Sequence, residues 1–297
     1  MKTLKVKSYC GICIFFVFTL LINFSGCKKT EKSAEKMNTA GTTEKKPQYI
    51  HPDFNFTTVS FSKSFTDINS EISENPQLFL SLASRMLKED QYYLKLVDKK
   101  HPLPEKLIPP ELVNLSDYSG IILNRSNLKL DRIAAESLNN MSIEAASSGA
   151  ELSVSSAYRS YNYQKNLFNR YVEKDGRENA EKYSAPPGCS QHQLGTAVDF
   201  GSITNSFAET PEGIWLTNNA WKFGWSLSYP RGCETETGYI WESWHWRWIG
   251  NDAVVMQNTF FNGVQQRMLV FWNNNYPVLE KAYKYNTEKY PETSEGK

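Results

Sequence analysis

Four histidines occur in the 297 residues, and two of them stand among other groups that can bind metal or move protons. His192 lies in Ser190-Gln191-His192-Gln193-Leu194-Gly195-Thr196-Ala197-Val198-Asp199, and His245 in Glu242-Ser243-Trp244-His245-Trp246. His51 and His101 each precede a proline, away from other ligand types, and read as turn or surface histidines. A catalytic zinc site takes three protein ligands from His, Asp, Glu and Cys and leaves its fourth position for water. His192, Asp199 and His245 supply that number. Gly195 permits a sharp turn after His192, so a following strand can carry Asp199 back toward it, while His245 arrives from a distant strand. Two neutral imidazoles and one carboxylate leave such a metal with net positive charge, which lowers the pKa of bound water to about 7. Glu242, just ahead of His245, is the base expected to take that proton and pass it to a leaving amine. Spacing alone leaves a second reading open, in which Glu242 and His245 are ordinary strand residues among tryptophans and His192 opens a helix.

The elements that must position these groups alternate in type along the chain. Residues 131–148 carry Ile133, Ala134, Leu138, Met141 and Ala145 at helical spacing and stop at Gly149. Residues 151–157 alternate apolar side chains with serine, as a half-buried strand does. A helix is expected over 161–174, opened near Ser160 and stopped by Gly176. A short strand follows at 196–200, then helix at 215–223, aromatic-rich strands at 225–229 and 238–246, and a last helix at about 252–272. Trp244, Trp246 and Trp248 are expected on the strand face opposite His245, as packing. This order favours an α+β fold with a small antiparallel sheet and flanking helices.

Composition narrows the partners. Formal net charge is +1, from 33 Lys and Arg against 32 Asp and Glu, with no long basic block, so no nucleic-acid footprint is expected. Lys2, Lys5 and Lys7 precede an apolar run over 11–24, shorter than the about 20 residues of a membrane span, and read as an export signal. Phe24-Ser25-Gly26-Cys27 resembles a bacterial lipobox, which would make Cys27 a lipidated mature N-terminus. The expected organisation is a signal at 1–26, a polar tether at 27–50, a helical segment at 51–90, a catalytic domain at 91–250, and a C-terminal helix and tail at 251–297. The chain is then a monomer in the bacterial cell envelope, held to a membrane by its lipid.

Ser-x-His-x-x-Gly-x-Ala-x-Asp at 190–199 and Glu-x-x-His-Trp at 242–246 together resemble the VanY-type D-alanyl-D-alanine carboxypeptidases. These are zinc peptidases that share a fold with the hedgehog signalling domain and with D-Ala-D-Ala dipeptidases. The likeness extends in order through His101-Pro102-Leu103-Pro104, Ser156-Ala157-Tyr158-Arg159-Ser160, Pro187-Gly188, Tyr229-Pro230, Gly238-Tyr239 and Trp246-Arg247-Trp248-Ile249-Gly250. The resemblance implies zinc held by His192, Asp199 and His245, Glu242 as base, and Arg159 facing the scissile carbonyl. It further implies Gln164, Ser190 and Tyr229 as substrate contacts, and peptidoglycan stem peptides as substrate. The same fold would also serve an L,D-carboxypeptidase, a D-Ala-D-Ala dipeptidase or a zinc-stabilised wall-binding module. Glu242 and Arg159 together argue against a pure binder, which needs neither base nor oxyanion partner. One departure carries its own expectation. Cys189 stands where the family commonly has histidine and Cys233 where it usually has no cysteine, so the two are expected to form a disulfide beside the site.

Overall fold

A computed structural model describes residues 71–289, with side chains as far as 284; no helix among them is long and apolar enough to cross a membrane. The expected signal, the tether, Cys27 and His51 lie outside the described residues.

The frame of the site is a five-stranded sheet whose central strand is β5 (Ala197–Phe200), with every residue buried. A strand covered on both faces takes a nearly continuous apolar run, and Asp199 interrupts that run at one position. On one side β5 pairs antiparallel with β4 (Ser153–Ser156), across an irregular register between Val154 and Ser156. On the other it pairs antiparallel with β7 (His245–Trp248), which is followed by β6 (Trp225–Leu227) at the edge. The opposite edge is β2 (Ile122–Leu123), parallel to β4. A separate two-stranded ribbon joins β1 (Leu112–Asn114) to β3 (Lys129–Asp131). The register of β5 on β7 sets Asp199 directly opposite His245. Directly opposed residues have Cβ atoms about 4.5–5.5 Å apart, so strand pairing alone brings two of the candidate ligands together.

One face of the sheet is covered by α2 (Arg132–Ser147), whose Ala134, Ala135, Leu138, Met141 and Ala145 form its buried stripe. Asp131 caps this helix by accepting the Ile133 N–H, and Gly149 closes its end at φ 80°. Val154, Val198, Phe200 and Trp225 complete the same core. α3 (Tyr161–Asp175) starts at the Ser160 cap and ends at Gly176, as expected, and buries only Gln164 and Phe168. α4 (Arg177–Tyr183) follows directly, and the helix expected at 215–223 is divided between α5 (Pro211–Asn219) and a 3-10 turn at Ala220–Phe223.

A second core joins the two ends of the described chain. α1 (Pro76–Met86) packs on α7 (Asn251–Phe260) and α8 (Gln265–Lys289) through Phe79, whose ring meets Phe260 at 5.2 Å and Phe271 at 5.9 Å, both edge-on. Fully burying a phenylalanine contributes about 1.5–3 kcal/mol, so Phe79 alone ties these helices firmly. Arg85 adds a forked pair to Asp252, with both N···O distances 2.9 Å.

Two elements differ from expectation. The run 238–246 is no continuous strand: α6 (Glu234–Thr237) precedes it, Gly238 turns at φ 76°, and pairing starts only at His245. The His245 N–H instead bonds back to the Glu242 carbonyl at 3.3 Å, so Glu242 sits on a turn. The expected helix at 252–272 is broken in two, because Asn262 and Gly263 adopt φ 51° and 70°.

Candidate active site

His192 lies in a 3-10 turn, Gln191–Leu194, that ends at Gly195 in the left-handed region at φ 66°. A Cβ at Gly195 would approach the Pro109 Cγ to 2.8 Å, so both conformation and space require glycine there. The turn sends the chain back as β5 and brings Asp199 against His192. Nε2 of His192 and Oδ2 of Asp199 are 3.2 Å apart, and Nδ1 of His245 and Oδ1 of Asp199 are 2.9 Å apart. One ligand atom from each of the three residues lies within 4.8 Å of the others, and all three side chains are buried.

Hydrogen bonding determines which atoms face inward. His192 Nδ1 is 2.7 Å from the Ala157 carbonyl oxygen, which can only accept. The ring therefore donates from Nδ1 and carries its lone pair on Nε2, opposite a carboxylate oxygen that also holds lone pairs. Nε2 accordingly has no hydrogen-bond partner. Buried acceptors that face one another without a proton are costly, and a cation between them removes the conflict. Two nitrogens and one carboxylate oxygen, buried and convergent, are also the donor set of a catalytic zinc centre, so the residues present fit that metal.

The electrostatics follow the burial. Burial works to raise the carboxyl pKa of Asp199, but the imidazoles of His192 and His245 outweigh it and hold this group well below the usual carboxylate range. His192 is depressed to about 4 by burial and by the Arg159 charge. Glu242 moves the other way: burial and the neighbouring Asp199 push it well above its ordinary value, with Arg159 opposing. Its Oε2 is 3.8 Å from His245 Nδ1, next to the ligand cluster. The Glu242 N–H donates to the Tyr229 carbonyl at 3.1 Å, which fixes the turn that carries the carboxylate.

These groups open onto a cavity of about 320 Å³. Arg159, Gln164, Ser190, Tyr229, Glu242 and His245 all line it, whereas His192 is wholly covered beneath. The structure thus brings every sequence-predicted catalytic and substrate-contact residue to one wall system. Gln164 donates from Nε2 to the Ala185 carbonyl at 2.7 Å, leaving its buried Oε1 unpaired. Tyr229 lies over His245 with ring centroids 4.9 Å apart, and burial pushes its hydroxyl well above the ordinary range, so it stays a donor. Leu167 and Tyr171 also line the cavity and follow Gln164 at one-turn and two-turn spacing on α3, a stripe that sequence reading passed over. Trp244, expected as packing, is buried and lines the cavity as well.

The disulfide expected between Cys189 and Cys233 is not formed, and both thiols are free. The two stand in different surroundings. Cys189 is buried and feels Asp98, Lys99 and Glu181, while Cys233 heads α6 beside Glu236 and Arg267.

An α+β fold that gathers two histidines, an aspartate, a buried glutamate and an arginine beside one cavity has the groups that metal-assisted hydrolysis needs. The family model of VanY, D-alanyl-D-alanine carboxypeptidase, matches residues 127–251. YodJ of Bacillus subtilis (strain 168), a carboxypeptidase by name, is 32% identical over 240 residues, 77% of this chain and 85% of that protein. Among solved structures, the LD-carboxypeptidase LdcB superposes with a TM-score of 0.52 at 31% identity, over 58% of this chain and 86% of that one. The Zn(II) complex of the vancomycin-resistance D,D-pentapeptidase VanY from the VanB-type cassette gives 0.50 at 26% identity, over 60% and 99%. The chain belongs to the VanY family of D-alanyl-D-alanine carboxypeptidases.

Proposed function

We propose that this chain is a zinc-dependent D-alanyl-D-alanine carboxypeptidase that removes the C-terminal D-alanine of peptidoglycan stem peptides. The observation that carries this reading is the convergence of His192, Asp199 and His245 beside the buried Glu242, at a cavity that also presents Arg159. His192, Asp199 and His245 would hold the zinc, which supplies Lewis-acid polarisation and eases deprotonation of water. Glu242 takes the proton from the attacking water as the new C–O bond forms. It returns that proton to the D-alanine nitrogen as the C–N bond breaks, and a carboxyl whose pKa burial and Asp199 raise well above its ordinary value holds the proton between the two steps. Arg159 faces the negative charge that develops on the scissile carbonyl oxygen. Ser190 and the neutral Tyr229 hydroxyl are donors for the terminal carboxylate, and the unpaired Gln164 Oε1 is an acceptor for a substrate N–H.

A second reading, cleavage of an L,D bond in a tetrapeptide stem, is favoured by the 31% identity to LdcB. Purified protein incubated with defined pentapeptide and tetrapeptide stems, with and without chelator, separates the two. Metal-dependent release of D-alanine from the pentapeptide is expected. Release from the tetrapeptide alone would replace the D,D assignment, and no release from either would defeat the enzymatic reading.

The basic and apolar start of the chain, with Cys27 in a lipobox-like setting, supports export and attachment to a membrane by a lipid on Cys27. Cys27→Ser should move the protein from the membrane to the soluble fraction of an expressing bacterium. An unchanged membrane fraction would reject the lipid anchor.

A further inference from the structure

Behind His245, on the side away from Asp199, runs a chain of buried amides that the proposed chemistry leaves unused. His245 Nε2 lies 3.2 Å from Gln191 Oε1, which also accepts the Ser228 hydroxyl at 2.7 Å. Gln191 Nε2 donates to Gln265 Oε1 at 3.2 Å, and the Ser228 hydroxyl lies 3.4 Å from the same oxygen. Gln265 Nε2 in turn reaches the Ser226 carbonyl oxygen at 3.5 Å. Gln191, Ser228 and Gln265 are each at most 2% exposed, so water does not compete for these groups. Gln265 opens α8 and lies beyond residues 127–251, the part of the chain that matches the family model. It is seated by the break between α7 and α8, where Gln257 donates to the Gly263 carbonyl at 2.9 Å and accepts the Ser226 hydroxyl at 2.7 Å.

The order of donors and acceptors along this chain is set from one end. A backbone carbonyl only accepts, so Ser226 selects the nitrogen end of the Gln265 amide and turns its oxygen toward Gln191. That oxygen selects the nitrogen end of Gln191 and leaves Gln191 Oε1 to face His245. Facing that acceptor, Nε2 carries a hydrogen, and the lone pair is then left on Nδ1, the atom 2.9 Å from Asp199, wherever a cation shields it from the carboxylate. A reversed Gln191 amide would favour the opposite tautomer, with a hydrogen on the nitrogen that must ligate. We infer that Gln265, a residue of the C-terminal helical layer, is a positioning residue that acts through Gln191 to select the metal-ligating tautomer of His245. The inference rests on the proposed role of His245 as a zinc ligand.

The test reads the tautomer directly in metal-free Asp199→Ala protein labelled with 15N-histidine, because the intact carboxylate 2.9 Å from Nδ1 would itself draw a hydrogen there, by long-range 1H–15N correlation under conditions where the rings are neutral. His192, tied to the Ala157 carbonyl, is the internal reference and should show Nδ1–H throughout. His245 should show Nε2–H in that parent and shift toward Nδ1–H when Gln265→Met is added to it. Gln191→Glu combined with Gln265→Met should restore Nε2–H, because a carboxylate has no wrong end. Zinc affinity measured by chelator competition should fall about 10- to 100-fold in Gln265→Met, the usual effect of losing an outer hydrogen-bond partner, and recover in the double variant. Asn275→Leu removes another buried amide of α8, bonded only to the Phe271 carbonyl and remote from the Gln191 to Gln265 link, and should leave tautomer and affinity unchanged. If Gln265→Met fails to fold, Gln191→Met interrupts the same chain from its other end and should shift the tautomer likewise. The parent's tautomer retained in the folded Gln265 or Gln191 variant, or an equal shift in Asn275→Leu, would overturn the inference. Wild-type protein that binds no zinc would remove His245 as a ligand and the inference with it. Absence of D-alanine release with the tautomer and affinity shifts intact would defeat only the proposed activity.

Discussion

Glu242→Gln should lower kcat for D-alanine release by about 10²- to 10⁴-fold, the range over which a positioned base contributes, with zinc content and fold unchanged. The expectation separates chemistry from binding. Glutamine keeps the size of the side chain and its place on the turn held by the Tyr229 carbonyl, so the cavity and the ligand cluster remain as they are. What is lost is the ability to accept and return a proton. Burial and Asp199 have raised the pKa of this carboxyl, which the substitution cannot imitate. Single-turnover and steady-state assays on a pentapeptide stem, with metal content measured on the same preparation, decide the matter. A variant within tenfold of wild type would remove Glu242 from the proton path, and a variant that loses zinc would make it a ligand instead.

Asp199→Ala has the second large effect, and it acts on the metal. Losing an outer partner of a ligand costs about 10- to 100-fold in affinity, so losing a ligand itself should exceed that range and abolish D-alanine release at ordinary zinc concentrations. Asp199 lies between both histidines and contacts each with a different oxygen, so its removal leaves two imidazole nitrogens with nothing to hold a cation between them. Chelator competition and circular dichroism on the same sample test this. Zinc affinity close to wild type in a folded variant would remove Asp199 from the ligand set.

Much of the site was legible because its signals are steric and local. Gly195 is demanded by the turn after His192, and β5 is recognisable by its apolar run, so the pairing of His192 with Asp199 could be anticipated from spacing. The caps of α2 and α3, Asp131 and Ser160, and their glycine stops appear where capping chemistry puts them. The turn that carries Glu242 was hidden, because the aromatic run 238–246 has high strand propensity, whereas the His245 N–H folds back onto the Glu242 carbonyl there. The break at Asn262 and Gly263 was hidden for a related reason, since the apolar spacing on either side suits a helix throughout. Cys189 and Cys233 looked like a pair by count, whereas pairing depends on distance in space, which count does not encode. The Gln191 to Gln265 link left no trace at all, because glutamine has no distinctive spacing and the two residues meet only when the start of α8 reaches β6.

The register that sets Asp199 opposite His245 has a consequence for supply. Two ligands are fixed by main-chain pairing and the third by a hydrogen bond to the main chain, so the proposed site is built before any metal arrives. A zinc finger collapses when emptied, because its metal supplies the folding energy. Here the two hydrophobic cores do not include the ligands, so the protein is expected to stay folded when emptied and to take up metal again. Under the proposed function, the number of working molecules at any moment would track the zinc within reach of the site, and scarcity would silence the protein reversibly without destroying it.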